Sequence, residues 1–403
     1  MDGRASVSRL RRIGASALLL AGTPFAWADD CDPCGPYRFE GKYLHETWDV
    51  AQGGLARGVS HLEKMDLAFE LDGERAFGLP ALTLFARVIY DNAGSVSADL
   101  TGDAQGVSNI EAIAATRLFE LWSEWSPGAD GSLRVGLYDF NSEFDVNATG
   151  ALFINPSHGI GKDISQSGRA GPSVFPVTSL GARVRWSIAP AWSVQVAALD
   201  GVPGDPDRPK RTTVQFDSQD GALLAAEVDR RGERLRKLAV GAWHYTGHFD
   251  RFADSADMTD TSRSHGTSGA YALAEMQLWS PDSSSDRGLA TFLRFGVADR
   301  QVQRFAQYFG TGLVYTGLLM KDDQLGLALA RATNASPYRR EQSLADVPAD
   351  RSETNLELTW RFSVRDWLSV QPDLQYIFNP NTDPTSADGL ALGLRVEISL
   401  KRP

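Results

Sequence analysis

The side chains best placed to bind or react gather around one stretch of the chain, where RVGLYD runs into FNSEFDVNATGALFINPSHGIGKDISQSGRAGPSVFPV. Asp139, Asn141, Glu143 and Asp145 recur at every second position at its start, and Phe175 stands at its end. Acids and amides at this spacing either bind the loop's own backbone amides or offer a row of acceptors to a solute. Upstream, Arg87 holds a polar position inside LTLFARVIYD, and Glu111 and Arg117 bracket the approach to LFELW. Arginine presents five donors in a rigid fork, the complement of carboxylate or hydroxyl oxygens.

Catalytic patterns do not emerge from the same inventory. Ser60-His61, Ser157-His158 and Ser264-His265 are sequence neighbours without the context that activates a nucleophile. Cys31 and Cys34 form a Cys-x-x-Cys pair with no βαβ pattern around it and no further ligand cluster, which reads as a local disulfide or an inert tail. His158 reads first as a hydrogen-bonding residue internal to its loop. In DGVPGDPDRPKR, Pro203, Pro206 and Pro209 break any calcium-loop pattern and point to a rigid loop. These features predict a protein that is not an enzyme and uses neither cofactor nor metal.

The elements that must position these residues alternate with period two. Leu67, Phe69 and Leu71 alternate with Asp66, Ala68, Glu70 and Asp72, and Leu82, Leu84, Ala86 and Val88 with Thr83, Phe85 and Arg87. Leu133, Val135 and Leu137 alternate with Arg134, Gly136 and Tyr138, and Leu180 to Ile188 do the same around Arg183 and Arg185. Leu356, Leu358, Trp360 and Phe362 alternate with Glu357, Thr359 and Arg361. Each run is a strand with one apolar and one polar face. From Tyr37 onward such segments are roughly ten residues long, the length a tilted strand needs to cross a bilayer. By parity Arg87, Arg183 and Arg185 belong to the polar face.

Connection lengths distinguish a membrane barrel from a sandwich. SPGADGS, APA, KDDQ and SVRDW join strands on one side, while 91–116, 140–177, 201–221, 247–269 and 333–353 are long. Short turns on one rim and long loops on the other predict an all-β, transmembrane antiparallel β-barrel of about sixteen strands. Tyr90, Trp125, Tyr138, Trp192, Trp279, Tyr308, Trp367 and Tyr376 lie near segment ends, where interfacial girdles sit. The apolar residues of 140–177, among them Phe144, Leu152, Phe153 and Ile154, exclude a solvated linker. The stretch is expected to fold into the lumen and narrow it, and a barrel of about sixteen strands leaves a lumen wide enough for water.

The start of the chain and its totals agree. Arg4, Arg9, Arg11 and Arg12 precede a short apolar core, and Ala26-Trp27-Ala28 supplies a small-x-small site. Residues 1–28 therefore read as a secretory signal peptide and 29–403 as the barrel. No run of ~18 apolar residues follows, so the expected membrane passage is by strands. A formal charge of −11 with scattered Arg argues against a nucleic-acid partner.

LFELW, the whole run from RVGLYDFNSEFDV to PVTSLGARV, LDGVPGDPDRP, GAWHYTG and SVQPDLQYIFNP resemble, in this order, the carbohydrate-selective porins of the OprB type. The resemblance implies a homotrimeric sixteen-stranded barrel in the outer membrane of a Gram-negative bacterium, embedded in lipid and lipopolysaccharide, passing glucose and related small sugars. It implies an eyelet of charged wall residues opposite the inserted loop, a role carried to Arg87, Glu111 and Arg117. Asp139, Asn141, Glu143, Asp145 and Phe175 are the expected contributions of the loop itself. The chain departs from most such barrels by ending on Pro403 rather than an aromatic residue, which bears on assembly rather than fold. The alternative is a general diffusion porin for small hydrophilic solutes without sugar selectivity.

Overall fold

The computed structural model describes residues 35–402 except 93, 216, 253–262, 282–286 and 348; for 263–265, 401 and 402 it describes backbone alone. The segment 1–28, both cysteines and Pro403 lie outside the described residues.

Sixteen strands follow one another: β1 (Tyr37–Gln52), β2 (Gly58–Asp72), β3 (Leu82–Asp91), β4 (Ala115–Trp125), β5 (Gly131–Tyr138), β6 (Ser179–Ala189), β7 (Trp192–Asp200) and β8 (Ala222–Arg230). The second half continues with β9 (Leu235–Asp250), β10 (Arg263–Trp279), β11 (Gly288–Ala298), β12 (Phe305–Thr316), β13 (Gln324–Asn334), β14 (Ser352–Arg365), β15 (Leu368–Phe378) and β16 (Gly389–Arg402). Each pairs antiparallel with its sequence neighbour, and β1 closes on β16 from Phe39↔Arg402 to Gln52↔Leu390. Closure leaves no unpaired sheet edge to face hydrocarbon, where an unbonded amide would find no partner. No helix among the described residues is long and apolar enough to cross a membrane.

The burial pattern is inverted relative to a soluble protein. Leu67, Phe69, Val184, Trp186, Val240, Leu293 and Leu394 are exposed, while Glu46, Glu120, Arg134, Arg183, Glu227, Arg294, Glu357 and Gln375 are buried. Apolar side chains face lipid and polar ones face a lumen, as the alternation requires. Tyr90, Trp125, Trp192, Trp279 and Trp367 are exposed near strand ends. Tyr138 and Tyr308 are not girdle residues: both are buried, and the Tyr308 hydroxyl donates to the Ser157 carbonyl inside the lumen. For Tyr138 the cause is parity: it shares the lumen face of β5 with the buried Arg134, while Leu133 and Val135 face outward.

Because β1 enters and β16 leaves at the same rim, the connections at 73–81, 126–130, 190–191, 231–234, 280–287, 317–323 and 366–367 share that rim. The opposite rim carries 92–114, 139–178 and 201–221, but also the short connections 53–57, 299–304 and 379–388, so its loops are long only in part.

Candidate functional site

The loop 139–178 leaves β5, crosses the lumen, and returns to β6. Its first turn forms because the Asp139 carboxylate accepts from the Asn141 amide, 2.9 Å away, capping the short helical turn Phe140–Ser142. Further on, its backbone is caught strand by strand by lumen-facing side chains. Glu227 on β8 accepts from the Asp145 amide (2.9 Å), Glu275 on β10 from Thr149 (2.6 Å), and Glu357 on β14 from Ile154 (2.6 Å) and Asn155 (3.1 Å). Gln371 on β15 donates to the Leu152 carbonyl at 2.8 Å. Buried backbone amides need acceptors, and the wall carboxylates supply them. The apolar loop residues Phe140, Phe144, Leu152, Phe153, Ile154 and Ile164 fill the space behind.

The lumen-facing charged side chains differ in exposure. The clamping residues Glu227, Glu275, Arg294 and Glu357 are buried. On β16, β1, β3 and β14 the side chains of Glu397, Lys42, Arg87 and Arg361 keep 19, 25, 18 and 23% exposure.

Around Arg87 the wall carries alternating charge. Arg87 donates through Nε (2.7 Å) and Nη2 (2.5 Å) to the two oxygens of Asp66 on β2, and through Nη1 to Glu120 on β4 at 3.4 Å. Lys64 lies 3.6 Å from Asp66 and 4.2 Å from the centre of the Phe175 ring. Phe175 meets Phe119 edge-on at 6.2 Å, and the Asp139 amide donates to Glu120 at 3.2 Å. Burial, with Glu120 adding to it, pushes the Asp139 carboxyl up to about 7 against the opposing pull of Arg87 and Lys64. On the same wall Arg395 binds Glu46 through Nε at 2.6 Å and Asn109 through Nη2 at 2.5 Å.

Of the eight residues singled out in the sequence, Arg87, Asp139 and Phe175 come together here. The other five are engaged in holding the loops. Glu111 accepts from the amides of Val96 and Ser97 and the hydroxyl of Ser95, organising 92–114; its carboxyl is raised by burial. Arg117 is buried and donates to the Pro209 carbonyl at 3.2 and 2.9 Å, tying the loop 201–221 to β4. Asn141 donates to the carbonyls of Phe144, Asp145 and Gly159 within its own loop. Glu143 pairs with Arg183, and Asp145 with Arg294. Arg183 lies on the lumen face its parity predicts, and is buried under the loop. Among the described residues the His158 ring has no hydrogen-bond partner; it packs between Phe153 and Phe292 at 4.9 and 6.0 Å. Lys64, Asp66, Glu120 and Phe119 were not singled out. Strand parity alone marks Asp66, whereas Phe119 turns inward only because a bulge opposite Arg87/Val88 shifts β4 by one residue.

The sequence profile of the carbohydrate-selective porin, OprB family, matches residues 56–400. Porin B of Pseudomonas aeruginosa is 26% identical over 399 residues, covering 90% of this chain and 87% of that protein. The putative porin QuiX of Acinetobacter baylyi is 22% identical over 249 residues, 56% of each chain. Among solved structures, the high-pH form of Pseudomonas putida OprB matches with a TM-score of 0.78 at 21% identity, over 91% of this chain and 94% of that one. The low-pH form matches with a TM-score of 0.57 at 18% identity, over 91% and 93%.

Proposed function

The chain belongs to the OprB family of carbohydrate-selective porins, sugar channels of the Gram-negative outer membrane, and from that premise we propose that Arg87, with Lys64, Asp66, Glu120, Asp139, Phe119 and Phe175, forms its sugar-selecting constriction. What supports this reading is the Arg87 fork on Asp66 and Glu120, its guanidinium 5.3 Å from the centre of the Phe119 ring, which in turn meets Phe175 of the returning limb edge-on. A neutral sugar brings hydroxyls that donate and accept. Asp66, Glu120 and Asp139 accept from them, Arg87 and Lys64 donate to them, and the ring faces take the C–H surface. Because the wall charges are already paired with one another, a sugar exchanges water for these groups without breaking a strong ion pair. Its residence stays short, which is what conduction requires.

The test is single-channel conductance of the purified protein in planar bilayers, titrated with glucose and with a disaccharide. Saturable block of the ion current by glucose supports the constriction. Open channels indifferent to sugar would replace it with a general diffusion pore, and no conductance would sink the channel itself. The homotrimer expected from the family is tested separately, by the mass of the unboiled protein in mild detergent.

A further inference from the structure

Several ties between the crossing loop and the wall are hydrogen bonds from a backbone amide to a carboxylate, and Arg183 forks onto Glu143 near the start of the loop. One grip joins two distant points of the loop at once. Arg294, on β11, donates through Nε to Asp145 Oδ1 (3.2 Å), through Nη2 to Asp145 Oδ2 (2.8 Å) and Asp163 Oδ2 (3.1 Å), and through Nη1 to Asp163 Oδ1. A single guanidinium thus grips both ends of the segment 145–163. All three residues are buried. Its guanidinium also lies 5.5 Å from the ring centre of Tyr271 on β10 and 5.0 Å from that of Tyr308 on β12. The backbone is cut away around it: a Cβ at Gly161 on the loop or at Gly296 on β11 would collide with the Arg294 guanidinium or the Asp163 carboxylate.

We propose that Arg294 is the positioning residue of the constriction, fixing how far the loop reaches across the lumen and therefore the width of the passage on the Arg87 side, without touching the solute. This rests on the proposed sugar-selecting role of that passage. The chemistry suits arginine alone. Its planar fork satisfies two carboxylates at once, whereas the ammonium of lysine is a point charge that cannot span both. With the fork removed, two buried carboxylates lose their counter-charge, and the lumen offers them water if the segment lifts away from β11.

The experiment compares Arg294→Lys, Arg294→Met, Asp163→Asn and Arg87→Ala in the full-length protein. Heat-modifiable gel mobility verifies assembly, and planar bilayers give open-state conductance and noise in salt alone, then the half-blocking glucose concentration. Freeing the loop is expected to raise conductance about twofold with added open-state noise, and to raise the half-blocking concentration about tenfold. Arg294→Lys should not restore either quantity, and Arg87→Ala should weaken block while leaving the noise at the unmutated level. If Arg294→Met does not assemble, Asp163→Asn decides, since it keeps the Asp145 half of the grip. Assembled Arg294→Lys and Asp163→Asn channels with unchanged conductance and noise would overturn the proposal. A parent channel that glucose does not block would remove the sugar-selecting reading alone, because conductance and noise in salt still report where the loop sits.

Discussion

The Lys64 ammonium on β2 lies 4.2 Å from the centre of the Phe175 ring, which belongs to the limb of the loop returning to β6. Wall and loop meet at this cation–π contact, and Phe119 seats the ring from a third side. Phe175→Ala removes the face against which the C–H surface of a sugar would lie and opens the narrow level at once. Ion conductance should rise while glucose block weakens about fivefold, roughly 1 kcal/mol. Unchanged block in a wider channel would take Phe175 out of the sugar path.

Arg87 gives a sharper test of the wall. Arg87→Ala removes the forked partner of Asp66, leaving Lys64 at 3.6 Å, and removes donors for sugar oxygens. Half-block by glucose should then need about tenfold more sugar, equivalent to roughly 1.4 kcal/mol. Arg87→Lys should recover little of this, because the ammonium cannot reproduce two parallel bonds to Asp66. Recovery by lysine would mean that charge, not fork geometry, sets the affinity.

The barrel was legible in the sequence because lipid imposes a strict rule on each strand. Leu82, Leu84, Ala86 and Val88 on one face of β3 and Phe85 and Arg87 on the other follow from period two alone. The inserted loop was legible from its length and its apolar residues between two alternating runs. Which of its acids meet solute was not, because that depends on three-dimensional partners. Asp139 and Asp145 look alike in FNSEFDV, yet Asp139 sits beside Glu120 and Arg87 while Asp145 meets Arg294 from β11, far away in sequence. Glu111 and Arg117 show a related ambiguity: charged residues at loop ends also serve the loops' own amides and carbonyls.

Asp139 is expected to make selectivity depend on pH near neutrality. Its carboxyl is pushed up to about 7, so it is mostly neutral at pH 6 and mostly ionised at pH 8. Raising the pH through 7 adds one negative charge to the passage, and the cation-to-anion permeability ratio, read from reversal potentials, should rise with it. Asp139→Asn should hold the low-pH ratio throughout. The linked stability runs the other way. An acid whose folded pKa lies above its unfolded value near 3.9 favours the folded state below that value and loses the contribution as pH rises through 7. An Asp139→Asn ratio that still tracks pH would assign the titration to another group.

His158 sets an acid limit on the seating of the loop. Its ring is buried against Phe153 and Phe292, its nitrogens make no hydrogen bond, and the 3.5 Å approach of Nε2 to Glu357 does not serve as one. Burial pulls its pKa down to about 3, from about 6.5 in an unfolded or released segment. The seated loop therefore holds a neutral imidazole where the released loop takes up a proton. Its contribution to seating is complete above about 6.5 and is lost progressively as pH falls toward 3. Because Glu357 also accepts the Ile154 and Asn155 amides, hydrogen exchange at those two amides is the direct readout. Exchange relative to the intrinsic rate should accelerate between pH 6 and pH 4 in the parent protein and much less in His158→Leu, whose side chain fills the same apolar slot without a proton to gain. Equal acceleration in both would move the acid sensitivity to the Glu357 carboxylate and its neighbour Asp373.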